Sequence, residues 1–348
     1  MGHNSVSKAI KEQIEIEDKN VKIEIADLWE IINPKIKDFG SKLYYNLTEN
    51  YPTVYNTIYD IKNTYKNNII DGILCNVHYK KLHNFIISEE PKVIISTFPL
   101  CSCLVSKIKK EYNINTNLIT VITDVVDSWE WIYEETNMYL VPSNEVKERL
   151  IEKGINKDII IATGIPVKKD FLNNTLNNTI KNKLLIVASG MTIEDISEEL
   201  LTEINNKCPL KTIIVTGRNE KLYKKLSSFE FSNINILGFV DNIDKLMDES
   251  VFIVTKPGGV TLFEAISKEL PLIIIDSSIG QEKGNVDYIK QNNIGIVIED
   301  ISELSNVIDY YINEPNIAIQ ICSNIRNIKK NLKFNDVADY ILQKSIYV

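Results

Sequence analysis

A rhythm limits what this chain can fold into. Short runs of Val, Ile and Leu alternate with longer amphipathic stretches along most of its length. Val93–Ser96, Leu118–Thr123, Met138–Val141 and Ile159–Ala162 read as strands, with helices over Pro99–Tyr112 and Asn144–Gly154. A second series follows at Leu184–Ala188, Thr212–Val215, Ile234–Leu237, Val251–Val254, Leu272–Ile275 and Ile294–Ile298. Apolar runs this short, separated by helices, predict parallel sheets covered on both faces and hence an α/β fold. At 348 residues the chain is long enough for two such sheets, each with its own core. The polar, asparagine-rich stretch Lys168–Asn182 reads as the linker between them. Ser5–Ile16 reads as an amphipathic helix and Val21–Ile25 as one more strand.

The most informative stretch is Val254–Asn285. Its first strand is broken by Lys256-Pro257-Gly258-Gly259, and a helical pattern starts at Thr261. Free N–H groups and the positive dipole end meet at a helix start, and glycines let a ligand approach the backbone. The pattern suits an anion such as phosphate. Glu264, one turn into the helix, is placed to accept hydrogen bonds from vicinal hydroxyls such as those of a ribose. The strand Leu272–Ile275 then leads into a loop carrying Gly280, Gln281, Glu282 and Asn285. The Gly-Gly pair taken alone reads more simply as a tight strand–helix turn.

The whole stretch is more specific. T-K-P-G-G-V-T-L-F-E-A (Thr255–Ala265) and I-G-Q-E-K-G-N (Ile279–Asn285) resemble the nucleotide-sugar site of the monogalactosyldiacylglycerol synthases and processive diacylglycerol glucosyltransferases. Ile279 stands where that family has proline. The resemblance implies a GT-B fold, two doubly wound Rossmann-like domains facing a cleft. Its domains would be 1–166 for the acceptor, 167–182 as linker, 183–332 for the donor, and 333–348 as a helix returning to the first domain. Thr163-Gly164-Ile165-Pro166-Val167 is similar to the family's hinge, and Gly217-Arg218-Asn219 and Gly238-Phe239-Val240 to two of its donor-side positions. The implied donor site is Gly190, Arg218, Asn219, Phe239, Lys256, Pro257, Gly258, Gly259, Thr261, Glu264, Gln281, Glu282 and Asn285. Phe239 reads either as a flank for the base or as core. Of the family's glycine-rich loop after the first donor strand only Gly190 remains.

The resemblance also implies chemistry: inverting hexosyl transfer from a UDP-sugar to diacylglycerol. The acceptor hydroxyl needs a base and the departing UDP needs charge stabilisation. Without a D-x-D motif, no metal and no cofactor is expected, and Lys256 with the Gly258-Gly259 helix start would stabilise the diphosphate. His3 matches the family's loop histidine and Asp124 its T-D position, so these are the candidate catalytic residues. Each also has a plain reading, a frayed terminus for His3 and a turn cap for Asp124. Ser128 stands where the family commonly has histidine. Gly2-His3 resembles the tail of a loop that follows a first strand in the family, and a chain lacking that central strand is expected to be a poor enzyme. Alternatives are transfer of N-acetylglucosamine to another lipid, as in peptidoglycan lipid synthesis, or a paralogue that only binds nucleotide or lipid.

Charge bears on partners. A net charge of −8 argues against nucleic acid. Yet Ile31–Lys81 carries seven lysines against four acids, interleaved with tyrosines. Lys35, Lys42, Tyr44, Tyr45, Tyr55, Tyr59 and Lys62 read either as contacts to an anionic membrane and acceptor lipid or as a solvated helical face with aromatic packing. Together with five scattered cysteines, read as buried thiols in a reducing compartment, this places the chain peripherally on the cytoplasmic face of the membrane.

Overall fold

The computed structural model describes residues 2–33, 53, 56, 57, 59, 69–173, 181–192, 195–276 and 280–346. The chain divides into two compact units. One comprises Met1–Lys169, Ile279–Gln281 and Leu332–Val348, the other Asp170–Ser278 and Glu282–Asn331.

In the first unit, helices α1 (Gly2–Glu17), α2 (Leu28–Ile32) and α3 (Ile69–Glu89) precede a regular alternation. This runs β1 (Val93–Ser96), α4 (Pro99–Tyr112), β2 (Asn117–Val121), β3 (Thr136–Val141), α5 (Asn144–Glu152) and β4 (Ile160–Ala162). The strands form a parallel sheet in the order β1-β2-β3-β4, with Val93 opposite Asn117 and Tyr139 opposite Ile160. Helices start where the sequence offers caps or pre-set backbone. Pro99 opens α4 at a position that lacks a hydrogen-bond partner anyway, and Ser143 accepts from the Val146 N–H to cap α5. Leu28, Ile32, Leu82, Ile86, Leu104, Val105, Ile108 and Leu118 form one buried cluster.

Val21–Ile25 does not become a strand. Its apolar side chains alternate with Lys22 and Glu24, yet Ile25 stays 39% exposed and no strand among the described residues pairs with it. Surface alternation without a partner leaves an extended connection, held in part by Lys11 donating to the Ile23 carbonyl. Cys103 is disulfide-bonded rather than a buried thiol, while Cys101 is free.

A last helix of the chain, α14 (Val337–Ile346), also belongs to the first unit, where it packs on α1, β1 and β2. Asn117 donates to the Lys344 carbonyl at 2.7 Å, and the Lys333 N–H to that of Ala162. Buried Phe334 lies against Gly164, where an added Cβ would come within 2.5 Å of the ring; with φ +77°, that position admits little but glycine.

The second unit contains α6 (Lys169–Leu172, which begins at the boundary), β5 (Lys183–Val187), α7 (Glu198–Lys207), β6 (Lys211–Val215), α8 (Glu220–Leu226) and β7 (Ile234–Leu237). It continues through α9 (Ile243–Asp248), β8 (Ser250–Thr255), α10 (Gly259–Ser267), β9 (Leu272–Ile275), α11 (Glu282–Asn292), β10 (Gly295–Ile298), α12 (Leu304–Asn313) and α13 (Pro315–Asn331). All pairings are parallel, in the order β10-β9-β8-β5-β6-β7. The order reverses between β5 and β8, and in such sheets ligands bind outside the carboxyl ends of the strands at that reversal. The central strands are continuous Leu, Ile, Val and Phe runs, and Phe252, Ile253, Val254, Leu272, Ile273 and Ile274 are completely buried.

Candidate active site

In the second unit, parallel strands carry the predicted donor residues to one edge of the sheet. Gly190 follows β5, Arg218 and Asn219 follow β6, Phe239 follows β7, and Lys256–Gly259 follows β8. Gly190 and Lys256 lie at the reversal, where a Cβ on Gly190 would sit 3.7 Å from Lys256 Cδ. Helix α10 has Gly258 at its N-cap, which brings no side chain to cap the first-turn N–H groups, and a Cβ there would meet nothing within 4 Å. Thr261 and Glu264 on α10 are half-buried, as are Gln281 and Glu282 after β9.

Three of the predicted donor residues also take part in hydrogen bonds within the protein. Asn285 is wholly buried and donates to the Pro257 carbonyl at 2.8 Å, and Pro257 is itself buried. This pair fixes the turn that presents Gly258 and Gly259. Asn219 caps α8 by accepting from the Leu222 N–H and donates to the Met191 carbonyl, both at 3.1 Å. It therefore joins the loop after β5 to that after β6. Gly217 allows their approach, since a Cβ there would meet Ser189 Cβ at 2.9 Å and its φ is +59°. Phe239 is not core: it is 59% exposed, with the Arg218 guanidinium 5.2 Å from its ring centre.

Nothing in the amino-acid order marks Asp195. It pairs with Lys256 at 3.6 Å and accepts from the Thr192 N–H at 2.6 Å. Two segments more than fifty residues apart meet here, and no local motif marks the meeting.

In the first unit, His3 sits in the first turn of α1. Its Nδ1 is 3.1 Å from Thr123 Oγ1, and its carbonyl accepts from Ser7 Oγ and Thr97 Oγ1. Phe98 and Trp131 flank the ring at centroid distances of 5.3 and 6.4 Å. Burial among these groups pushes the imidazole pKa down to about 4, against a smaller opposing effect of the Thr97 backbone. At neutral pH the ring is uncharged, the form a general base needs. Asp124, adjacent to Thr123, is half-buried just beyond β2. Ser128 is fully buried and caps the short turn Trp129–Trp131. Thr97 and Thr123, which secure His3, are hydroxyls just past strand ends, a faint signal that sequence reasoning missed.

Lys35, Lys42, Tyr44, Tyr45, Tyr55 and Lys62 lie outside the described residues. Tyr59 is described, and at 8% exposure it is buried rather than offered to a surface. Among the described residues, no cluster of His, Cys, Asp and Glu could hold a metal ion, and no helix is long and apolar enough to cross a membrane.

Two parallel-sheet units, the second with a reversal of strand order between β5 and β8, are the architecture of the GT-B fold. The same architecture occurs in Acinetobacter baumannii MurG, with a TM-score of 0.58 and 9% identity over 98% of this chain and 96% of that one. It occurs also in the Staphylococcus aureus MnaA–UDP co-structure, with a TM-score of 0.58 and 13% identity over 92% and 88%. Residues 3–167 match the family model for monogalactosyldiacylglycerol (MGDG) synthase, and 184–320 that for the glycosyltransferase family 28 C-terminal domain. A processive diacylglycerol beta-glucosyltransferase of Bacillus cereus (strain G9842) is 30% identical over 87% of this chain and 80% of its own. Its counterpart in Bacillus thuringiensis (strain Al Hakam) is 27% identical over 99% and 91%. The chain belongs to this family of glycolipid-forming glycosyltransferases.

Proposed function

We propose that the protein transfers a hexose from a UDP-sugar to diacylglycerol, with inversion, as a peripheral enzyme on the cytoplasmic face of the membrane. The observation that carries this reading is the uncapped start of α10 at the sheet reversal, its turn set by buried Asn285. Backbone N–H groups and the Lys256 ammonium there suit a diphosphate, both while it is bound and as it departs with the bonding electrons. Exposed Phe239, backed by Arg218, suits the flat face of a base, and Glu264 the ribose hydroxyls. The first unit supplies the base: neutral His3 takes the acceptor hydroxyl proton as the oxygen bonds to the anomeric carbon, with Asp124 the other candidate. The names of the relatives support diacylglycerol as acceptor. The lysine- and tyrosine-rich stretch Asn33–Lys66 supports attachment to an anionic surface.

The test is transfer from radiolabelled UDP-glucose, UDP-galactose and UDP-N-acetylglucosamine to vesicles containing diacylglycerol, with the anomeric linkage read by NMR. A β-linked glycosyl-diacylglycerol from either hexose donor is the expected product. Transfer of N-acetylglucosamine only, or UDP binding with no transfer to any lipid, would overturn the reading.

A further inference from the structure

Lys256 is not solitary in the donor site: its ammonium lies 3.6 Å from a carboxylate oxygen of Asp195, with both side chains half-buried. That carboxylate is held. The same oxygen accepts the Thr192 N–H at 2.6 Å, and the loop around it is pinned on both sides. On one side Asn219 donates to the Met191 carbonyl at 3.1 Å; on the other Lys225 Nζ donates to the Ile196 carbonyl at 3.1 Å. The Lys256 stem passes beside Gly190 toward Asp195, over the edge between β5 and β8. A diphosphate arriving at α10 therefore meets a lysine whose charge is already matched and a fixed negative charge beside it.

We propose that Asp195 limits the hold of this site on a nucleoside diphosphate by competing with it for Lys256. The inference rests on the donor-site reading above. When the diphosphate is bound, Lys256 turns from Asp195 to its oxygens. When the nucleotide leaves, Asp195 takes the ammonium back, which offsets part of the electrostatic cost of release. A site that must discharge UDP after every transfer gains from such a built-in rival, since binding energy that persists on the product slows turnover.

Calorimetric titration with UDP and with uridine tests this, with melting curves to confirm folding. Asp195→Asn keeps an acceptor for the Thr192 N–H but removes the charge. It should bind UDP roughly three- to tenfold more tightly and uridine as before. Lys256→Met should bind UDP more weakly, and adding Asp195→Asn to it should recover far less than in the wild-type background, which is the coupling a double-mutant cycle isolates. Unchanged or weaker UDP binding by a folded Asp195→Asn protein would overturn the proposal while leaving the donor-site reading intact, as would an equal gain with and without Lys256. Wild-type protein that binds no UDP would remove both.

Discussion

On the proposed reading, the two units solve opposite problems with opposite materials. Around His3 the first unit works with side chains: hydroxyls of Thr97, Thr123 and Ser7 grip one residue, and Phe98 and Trp131 strip water from its ring. At the start of α10 the second unit works with the main chain, and buried Asn285 shapes the turn from behind. A proton acceptor must have one orientation and an uncharged resting state, which takes packing around a single side chain. An anion needs several donors converging on a point, and a helix start provides them without any side chain of its own. The first kind of site is sensitive to single residues and to pH, the second to anything that moves the backbone.

The largest effect should come from His3. His3→Ala is expected to lower kcat roughly 10²–10⁴-fold, the range of general acid–base catalysis, with UDP affinity unchanged by calorimetry. A loss in UDP binding of similar size would erase the contrast between the units. Next, Asn285→Ala leaves the Pro257 carbonyl without this buried donor. It should cost about 1–3 kcal/mol in denaturant-monitored stability and weaken UDP binding, although Asn285 is itself covered. Glu264→Ala removes a charged acceptor and should weaken UDP binding by about 1.5–3 kcal/mol; unchanged affinity would remove Glu264 from the site.

The smallest effect concerns pH. The folded pKa of His3, about 4, lies below its ordinary value of 6.5. Between these values the unfolded chain takes up a proton that the folded one does not, so stability falls as pH drops from 6.5 toward 4 and this contribution then levels off. His3→Gln should flatten that part of a plot of Tm against pH. If the slope is the same in the variant, burial of the ring is not what sets its charge state.

Much of this was readable in the amino-acid order. The central strands announce themselves because they are buried on both faces: Val251–Val254 and Leu272–Ile275 contain nothing but apolar residues. The turn at Lys256–Gly259 is legible because proline and two glycines have few other uses between a strand and a helix. The failures share a cause, which is that the deciding neighbour is distant in sequence. Val21–Ile25 alternates as a strand should but finds no partner strand among the described residues. Phe239 reads as a flank for the base or as core, and only the sheet edge, which leaves it outside, excludes core. Asn219 and Asn285 are visible as polar residues in the donor motifs, but the carbonyls they hold, those of Met191 and Pro257, are not legible from the motifs. Asp195, Thr97 and Thr123 matter only because folding sets them beside Lys256 and His3.

The return of α14 to the first unit has a consequence for how the molecule is made. The ribosome delivers β1 to β4 early, but their sheet is not fully covered until Leu332–Ile346 emerges, bringing Phe334 to Gly164 and Lys344 to Asn117. The second unit, by contrast, is delivered in one continuous stretch apart from the short segment Ile279–Gln281. The half begun first is thus completed last, and during synthesis its apolar surface waits exposed while the later half can already close. Chains stalled or clipped before Leu332 should leave a folded second unit joined to an aggregation-prone remainder.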